Sequence, residues 1–417
     1  MPRYIAKRVR FQNGEHHSVL AGPEGLPVHA VTLFLQRFRK QGRAANTIHY
    51  VCQCLALLYR ELDAKPSIDL LGRLRTGQFL TRAEMSRLTE TTQYRMDEFI
   101  VEEYDETAQV VNLSSVRARR RKVVEETEPV GKANTANRMR YIASYLGFLA
   151  DYYAHELPPK ECKQLKSDAL DALTTFKAQV PKVTKRAQLG AREGLSLEDQ
   201  ERLLRIVHPE SPDNPWARNF VRHRNWVIVM LLLATGMRSG ELLGLQIGDL
   251  NQQLSQLGVL RRADAKEEPR PIPIATKTKD RELELRPGIM RQLMIHISKE
   301  RHQIRAARKY PQVFVAQDGM PLSTRSIGKI FQQLREACPG LPVTLTSHVM
   351  RHTWNERFSE QADAMGMSEV DEARARNEQQ GWSEGSLSAL NYTRRHARRK
   401  GREIALKLQE TLDGTSK

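Results

Sequence analysis

At 417 residues the chain is long enough for two or three domains with buried cores, and lysines plus arginines outnumber acids 66 to 49, a net charge of +17 that marks a binder of polyanions. The four cysteines, Cys52, Cys54, Cys162 and Cys338, form no C-x-x-C pair, which argues against a structural zinc site and for reduced thiols in a cytoplasmic protein. The N-terminus, MPRYIAKRVR, is too charged for the apolar part of a signal peptide, and the longest apolar run, Trp226 to Thr235, is too short to cross a membrane.

Residues 1–25 are basic and punctuated by glycine, and read as an extended arm. Helical periodicity begins at Val28, with Val31, Phe34, Leu35 and Phe38 on one face. A second helix, capped at Ala45-Asn46-Thr47, turns Ile48, Val51, Leu55, Leu58 and Leu62 inward. A polar segment from Asp105 to Gly131 precedes a third helix. That helix is predicted to start at Asn134-Thr135, repeat Met139, Ile142, Leu146, Leu149 and Tyr153, and stop at Pro158-Pro159. Residues 26–178 therefore predict a small all-α N-terminal domain.

Residues 179–194 are rich in cations, with Pro181, Gly190 and Gly194, and read as a solvated linker. Ser196-Leu197-Glu198-Asp199 starts a helix with an acid at the third position and opens a second domain over 195–400, followed by a C-terminal helix or tail over 401–417. In that second domain, Trp226 to Thr235 reads as a buried core helix. Strand-like runs at 257–263, 271–276 and 281–285 predict a small antiparallel sheet with Pro271 and Pro273 on an edge. The fold class expected is mainly α with a small antiparallel β-sheet.

Chemistry concentrates in the C-terminal half. Arg238 follows the turn Ala234-Thr235-Gly236 and precedes Ser239-Gly240-Glu241, which puts a guanidinium at a helix N-terminus, where backbone N–H groups also favour phosphate. Glu241 lies one turn on and is placed to orient a neighbouring donor; the plainer reading is a surface cap with an i,i+3 ion pair. His348, Arg351 and His352 share a helical face. Zinc is the competing ligand for two histidines four apart, but no acid stands between them and an arginine adjoins the second. Lys277, in Thr276-Lys277-Thr278-Lys279-Asp280, stands where a strand enters a turn, with Lys279 as the alternate. Trp382 offers a single N–H donor. Tyr392, on a strongly basic flank, comes after all of these. A tyrosine among several cations suits a phosphodiester, because nucleophilic attack builds negative charge on the non-bridging oxygens.

In order and in motif this set resembles the tyrosine recombinase (phage integrase) family. Ala234 to Asp249 is similar to the family's first-arginine box, and His348-Val349-Met350-Arg351-His352 fits its H-x-x-R-H box. The resemblance covers roughly residues 190 to 400. It implies a helical core-DNA-binding domain, a catalytic domain, and a C-shaped clamp of the two around a duplex. Tyr392 would be the nucleophile, Arg238 and Arg351 the oxygen clamps, His348 a donor or proton-transfer group, and Lys277 (or Lys279) the acid for the leaving 5′-oxygen. His352 would be a packing or supporting residue. Trp382 holds a place where the family usually has a histidine, and Tyr392 follows it ten positions later, one more than the family spacing. The implied function is site-specific cleavage and rejoining of double-stranded DNA through a 3′-phosphotyrosyl link, without cofactor or metal. The enzyme would act as a homo-tetramer on DNA, with accessory or co-encoded recombinases as possible partners. A type IB topoisomerase-like relaxation activity and a catalytically silent DNA-binding relative are the alternatives.

Overall fold

The first segment folds back on itself through a turn at Phe11 to Glu15, where Gly14 takes a positive φ. In the computed structural model, which describes residues 4–64, 67–94, 129–182, 194–262, 265, 268–274, 278–384, 386 and 394–410, β1 (Ile5–Arg10) and β2 (His16–Ala21) pair antiparallel from Ile5↔Ala21 to Arg10↔His16. The expected extended arm is thus a hairpin. Leu20 and Ala21 are buried, and pairing satisfies the backbone groups that their burial would otherwise strand. The hairpin precedes residues 26–178, where every element described is a helix.

The chain forms two compact units, Met1–Arg186 and Ala187–Lys417. In the first, α1 (His29–Lys40), α2 (Ala45–Asp63), α3 (Leu70–Arg75), α4 (Arg82–Thr91), α5 (Lys132–Ala154) and α6 (Pro159–Ala178) enclose one core. The apolar stripes read from the sequence supply it: Val31, Phe34 and Leu35 from α1, five inward residues from Ile48 to Leu62 on α2, and Met139, Ile142, Leu146, Leu149 and Tyr153 on α5 are all buried. Helix ends moved by a few residues. Ala44, not the Ala45–Thr47 stretch, is the N-cap of α2, and α5 starts at Lys132, two residues before Asn134. Pro158 and Pro159 begin α6 rather than stop α5, since a proline at the first helical position lacks an N–H that would be unsatisfied there anyway.

The second unit is built around α8 (Asn219–Thr235), which packs against α7 (Leu197–Val207), α10 (Pro287–Ile295) and α12 (Ser347–Ala364). Val227 to Leu233 bury nearly every side chain, as the apolar run predicted. Ser196 caps α7 by accepting from the Asp199 amide at 3.1 Å. The short α9 (Ser239–Gly244) leads to a three-stranded antiparallel sheet of β3 (Leu250–Asn251), β4 (Gln256–Val259) and β5 (Arg281–Glu284), with β4 in the middle. Two of the three predicted strands correspond to β4 and β5. Residues 271–274 carry no strand, because Pro271 and Pro273 have no N–H to give a ladder. The unit continues through α11 (Thr324–Ala337), α12, α13 (Glu369–Gln380) and α14 (Arg394–Glu410).

Buried arginines tie the loops of this unit. Arg301 donates from Nη2 to the carbonyls of Ala307 and Tyr310 at 2.8 and 2.6 Å and from Nε to that of Gln312 at 3.1 Å. Arg224 donates to Val315 O at 2.9 Å and Arg270 to Leu243 O at 2.8 Å. Irregular buried backbone needs donors for its carbonyls, and a guanidinium supplies several from one side chain.

Candidate active site

The site begins at the end of α8. Gly236 closes the helix in the left-handed conformation, φ 61°, and its N–H reaches Leu232 O at 3.0 Å. A Cβ here would meet the Trp354 ring at 2.8 Å, so both backbone geometry and space call for glycine. Two residues on, Arg238 is the N-cap of α9, as its sequence context predicts.

Glu241 organises what surrounds Arg238. Its side chain is 1% exposed, and its two oxygens take four hydrogen bonds. Oε1 accepts from Arg238 Nη1 at 3.2 Å and from Thr278 Oγ1 at 2.7 Å. Oε2 accepts from the Arg238 amide at 3.0 Å and from Arg281 Nη2 at 2.8 Å. Burial by itself would raise the Glu241 carboxyl, but the Arg281 charge and the hydrogen bonds from Arg281, Thr278 and Arg238 outweigh it and hold the group below the usual carboxylate range. An ionised carboxylate fixes the Arg238 guanidinium while leaving its side chain 33% exposed.

A second cation approaches from α12. Arg351 is 1% exposed and donates from Nη1 to Gly236 O at 2.7 Å. Its guanidinium carbon lies 5.1 Å from the ring centroid of Trp382. The α8–α9 turn is held further by Trp354 Nε1, which donates to Ala234 O at 3.0 Å, and by Gln380 Nε2, which donates to Thr235 O at 3.1 Å. On α12, His348 in the first turn is exposed and His352, one turn on, is buried, with their rings edge to face at 4.8 Å.

The β4–β5 connection and the end of α13 complete the cluster. Gly381, φ 62°, accepts at its carbonyl from the Lys279 amide at 3.1 Å. A Cβ on it would lie 2.9 Å from Lys279 O and 3.0 Å from Arg281 Nη1. Arg281 Nε donates to Gln379 O at 2.8 Å. Trp382 follows, buried, with its amide bonded to Asn377 O at 2.8 Å. Arg238, Glu241, Arg351 and Trp382 are therefore joined through the α8–α9 turn and the 278–281 segment. Lys279 is exposed with its backbone in this network. Lys277 and Tyr392 lie outside the described residues.

Two of the other tyrosines are locked in the core of the first unit. Tyr59 and Tyr145 share a buried hydroxyl–hydroxyl hydrogen bond of 2.6 Å. Burial pushes the Tyr59 phenol up to about 12 and that of Tyr145 up as well. Tyr310 donates to Met320 Sδ at 3.0 Å. The sequence reading missed Thr278, Arg281 and Gln380. The signal available for Arg281 is its phase with Leu283 on β5 and with Leu285 just beyond it, since alternation places it on the buried side.

The phage integrase family model matches residues 195–370, most of the second unit and the whole path from α7 through Arg238, Glu241 and Arg351. Over those residues the chain is similar to the phage integrase family. Beyond this integrase-family match, the chain is 27% identical over 207 residues to the tyrosine recombinase XerD of Halalkalibacterium halodurans, an alignment that spans 49% of this chain and 60% of that protein. Similar solved structures include the XerH site-specific recombinase bound to a palindromic difH substrate, with 17% identity, 86% of this chain and 97% of that chain covered, and a TM-score of 0.44. A lambda integrase dimer bound to a core site gives 13% identity, coverage of 87% and 94%, and a TM-score of 0.40. Trp382 and Tyr392 lie beyond the matched integrase segment, 12 and 22 residues after its last position, Val370.

Proposed function

We propose that the chain is a site-specific DNA recombinase or integrase that cuts and rejoins strands of double-stranded DNA. The observation that carries this reading is the joining of Arg238, with its ionised partner Glu241, to Arg351 through one turn inside the integrase-family segment. Two fixed guanidiniums suit a phosphate whose charge grows during attack, and their planar forks bind oxygens without losing charge.

In this reading the hydroxyl of Tyr392 attacks the scissile phosphorus, a 3′-phosphotyrosyl bond forms, and the bond to the 5′-oxygen breaks. Lys277, or Lys279, gives that oxygen its proton, and His348 serves the proton on the attacking phenol. A 5′-hydroxyl from a partner duplex then reverses the step on a new strand. The phosphotyrosyl ester conserves the energy of the broken bond, so the exchange needs no nucleotide hydrolysis. The N-terminal unit over 26–178 is the core-DNA-binding domain and 195–400 the catalytic domain. The net charge of +17 supports contacts made mainly to backbone phosphates.

Four copies assembled on two sites are the active form in this proposal, in the cytoplasm. Support comes from α14, where Ile404 and Leu408, one turn apart on one face, are 60% and 69% exposed, an apolar stripe that suits docking on a neighbouring copy. Among the described residues no helix is long and apolar enough to cross a membrane.

The test is a nicked suicide duplex carrying the target sequence, with the covalent complex resolved by denaturing electrophoresis and the modified peptide mapped. A DNA-linked peptide containing Tyr392 is expected. Relaxation of a supercoiled circle by monomers, without synapsis of two sites, would instead favour topoisomerase chemistry, and binding without any adduct a silent relative.

A further inference from the structure

We propose that Arg281, on the sheet and outside every catalytic motif, is a positioning residue that sets the Arg238 guanidinium through Glu241. This rests on the recombinase reading above. Three bonds leave one side chain that is 3% exposed: Nη2 to Glu241 Oε2 at 2.8 Å, Nη1 to Thr278 Oγ1 at 3.2 Å, and Nε to Gln379 O at 2.8 Å. They reach three separate parts of the chain: the first-arginine helix α9, the turn before β5, and the end of α13 next to Trp382.

The geometry explains why an arginine stands there. Glu241 spends one contact of each oxygen on Arg238, Oε1 on the side chain and Oε2 on the amide. Its remaining contacts, Thr278 on Oε1 and Arg281 on Oε2, fix the rotation of the carboxylate. Free rotation would carry the Arg238 guanidinium away from any fixed phosphate position. Fixing it on rigid elements is what transition-state stabilisation by a preorganised donor requires. The third bond, to Gln379 O, holds the same assembly to the segment that carries Trp382. A lysine could keep the charge beside Glu241 but could not reach a second carbonyl and Thr278 from one planar head.

The test uses the full chain with Arg281→Lys, and Thr278→Val as a second variant that removes one bond to Glu241 and keeps the ion pair. Rates of adduct formation are measured on the suicide duplex and on the same duplex with a methyl group replacing one non-bridging oxygen of the scissile phosphate. The neutral phosphonate develops less charge and so asks less of Arg238. Both variants are expected to bind the duplex like the unaltered chain and to slow cleavage of the phosphodiester by roughly 10–100-fold, the scale of a small misplacement of a catalytic group. On the phosphonate the deficit should shrink to within about 3-fold of the unaltered chain. Equal deficits on both substrates, or cleavage of the phosphodiester at the unaltered rate, would overturn the proposal. If Arg281→Lys does not give a cooperative melt, Thr278→Val alone decides between these outcomes. Failure of the unaltered chain to form any adduct would refute the recombinase reading and this proposal with it, whereas a normal adduct from the unaltered chain separates the two.

Discussion

The Arg351 guanidinium lies over the Trp382 indole, its carbon 5.1 Å from the ring centroid, while one of its nitrogens holds Gly236 O at 2.7 Å. Trp382 thus meets the buried cation with its ring face, and the cation in turn fixes the turn that presents Arg238. A cation on an aromatic face is worth about 2 kcal/mol or more once desolvated.

Arg351→Ala and Arg238→Ala should each slow adduct formation by about 10²–10³-fold, the usual loss for one preorganised donor in a water-excluded site. Trp382→Phe keeps an aromatic face under Arg351 and should retain more activity than Trp382→Ala. Single-turnover cleavage of the suicide duplex measures all four, and near-normal rates for either arginine variant would remove that residue from the clamp.

The two turn lysines can be told apart by the leaving group. Lys277→Ala should be slow on an ordinary phosphodiester and recover on a 5′-bridging phosphorothiolate, whose sulfur leaves without a proton donor. Recovery by Lys279→Ala in place of Lys277→Ala would move the acid to Lys279.

Glu241 carries a pH signature. Its carboxyl titrates lower in the folded chain than in the unfolded one, so its contribution to stability is fully present above the unfolded value of about 4.3 and is lost as the pH falls through the folded value. Glu241→Gln leaves Arg281 without its charge partner and should cost roughly 3 kcal/mol at neutral pH, the scale for breaking a buried pair. Thermal melts of both proteins from pH 7 to 3 should show a gap in Tm that is constant down to about pH 5 and narrows below it. A gap that widens with acid would contradict the ionised assignment.

Gly381→Ala should be harmful for two reasons at once. Its φ of 62° costs an L-residue about 1–2 kcal/mol, and the new methyl would press on Lys279 O at 2.9 Å. Chemical denaturation should show the loss of stability, and cleavage should fall because the 278–281 turn must shift. Gly401→Ala, with open space around its Cβ, is the matched control.

Removing residues from Gly401 onward takes away the exposed Ile404, Leu406 and Leu408. The shortened chain should remain monomeric, bind a single site, and fail to form a synaptic tetramer in sedimentation with two sites. Recombination at the full rate would show that α14 does not dock between copies.

Much of this was legible in the sequence because the signals were local. Periodicity placed the inward faces of α1, α2 and α5, and Ser196 was correctly read as a cap, since a cap and its partner lie three residues apart. Arg238 and Glu241 were readable for the same reason. What escaped depended on distance along the chain. The hairpin β1–β2 pairs residues up to 16 apart, and its short strands carry no strong alternation. Arg281 meets Glu241 across 40 positions and Gln379 across 98, contacts that no spacing rule anticipates. Prolines acted in two ways: Pro159, read only as marking the end of α5, also opens α6, while Pro271 and Pro273 kept a predicted strand from forming.

The arginines that clasp backbone carbonyls have a bearing on ionic strength. Arg224, Arg270, Arg301 and Arg351 are all buried, each donating a hydrogen bond to a main-chain oxygen, and burial lowers Arg224 only to about 10, so it stays charged at neutral pH. Arg224, Arg270 and Arg301 count toward the formal charge yet face main-chain carbonyls, so in the recombinase reading they displace none of the counterions condensed on a duplex. A plot of log affinity against log salt should therefore be shallower than the surplus of basic residues implies, since its slope of about −0.9 per neutralised phosphate reports only cations that touch the strand. Replacing these arginines by lysine would leave the tally of charges unchanged and unfasten the loops.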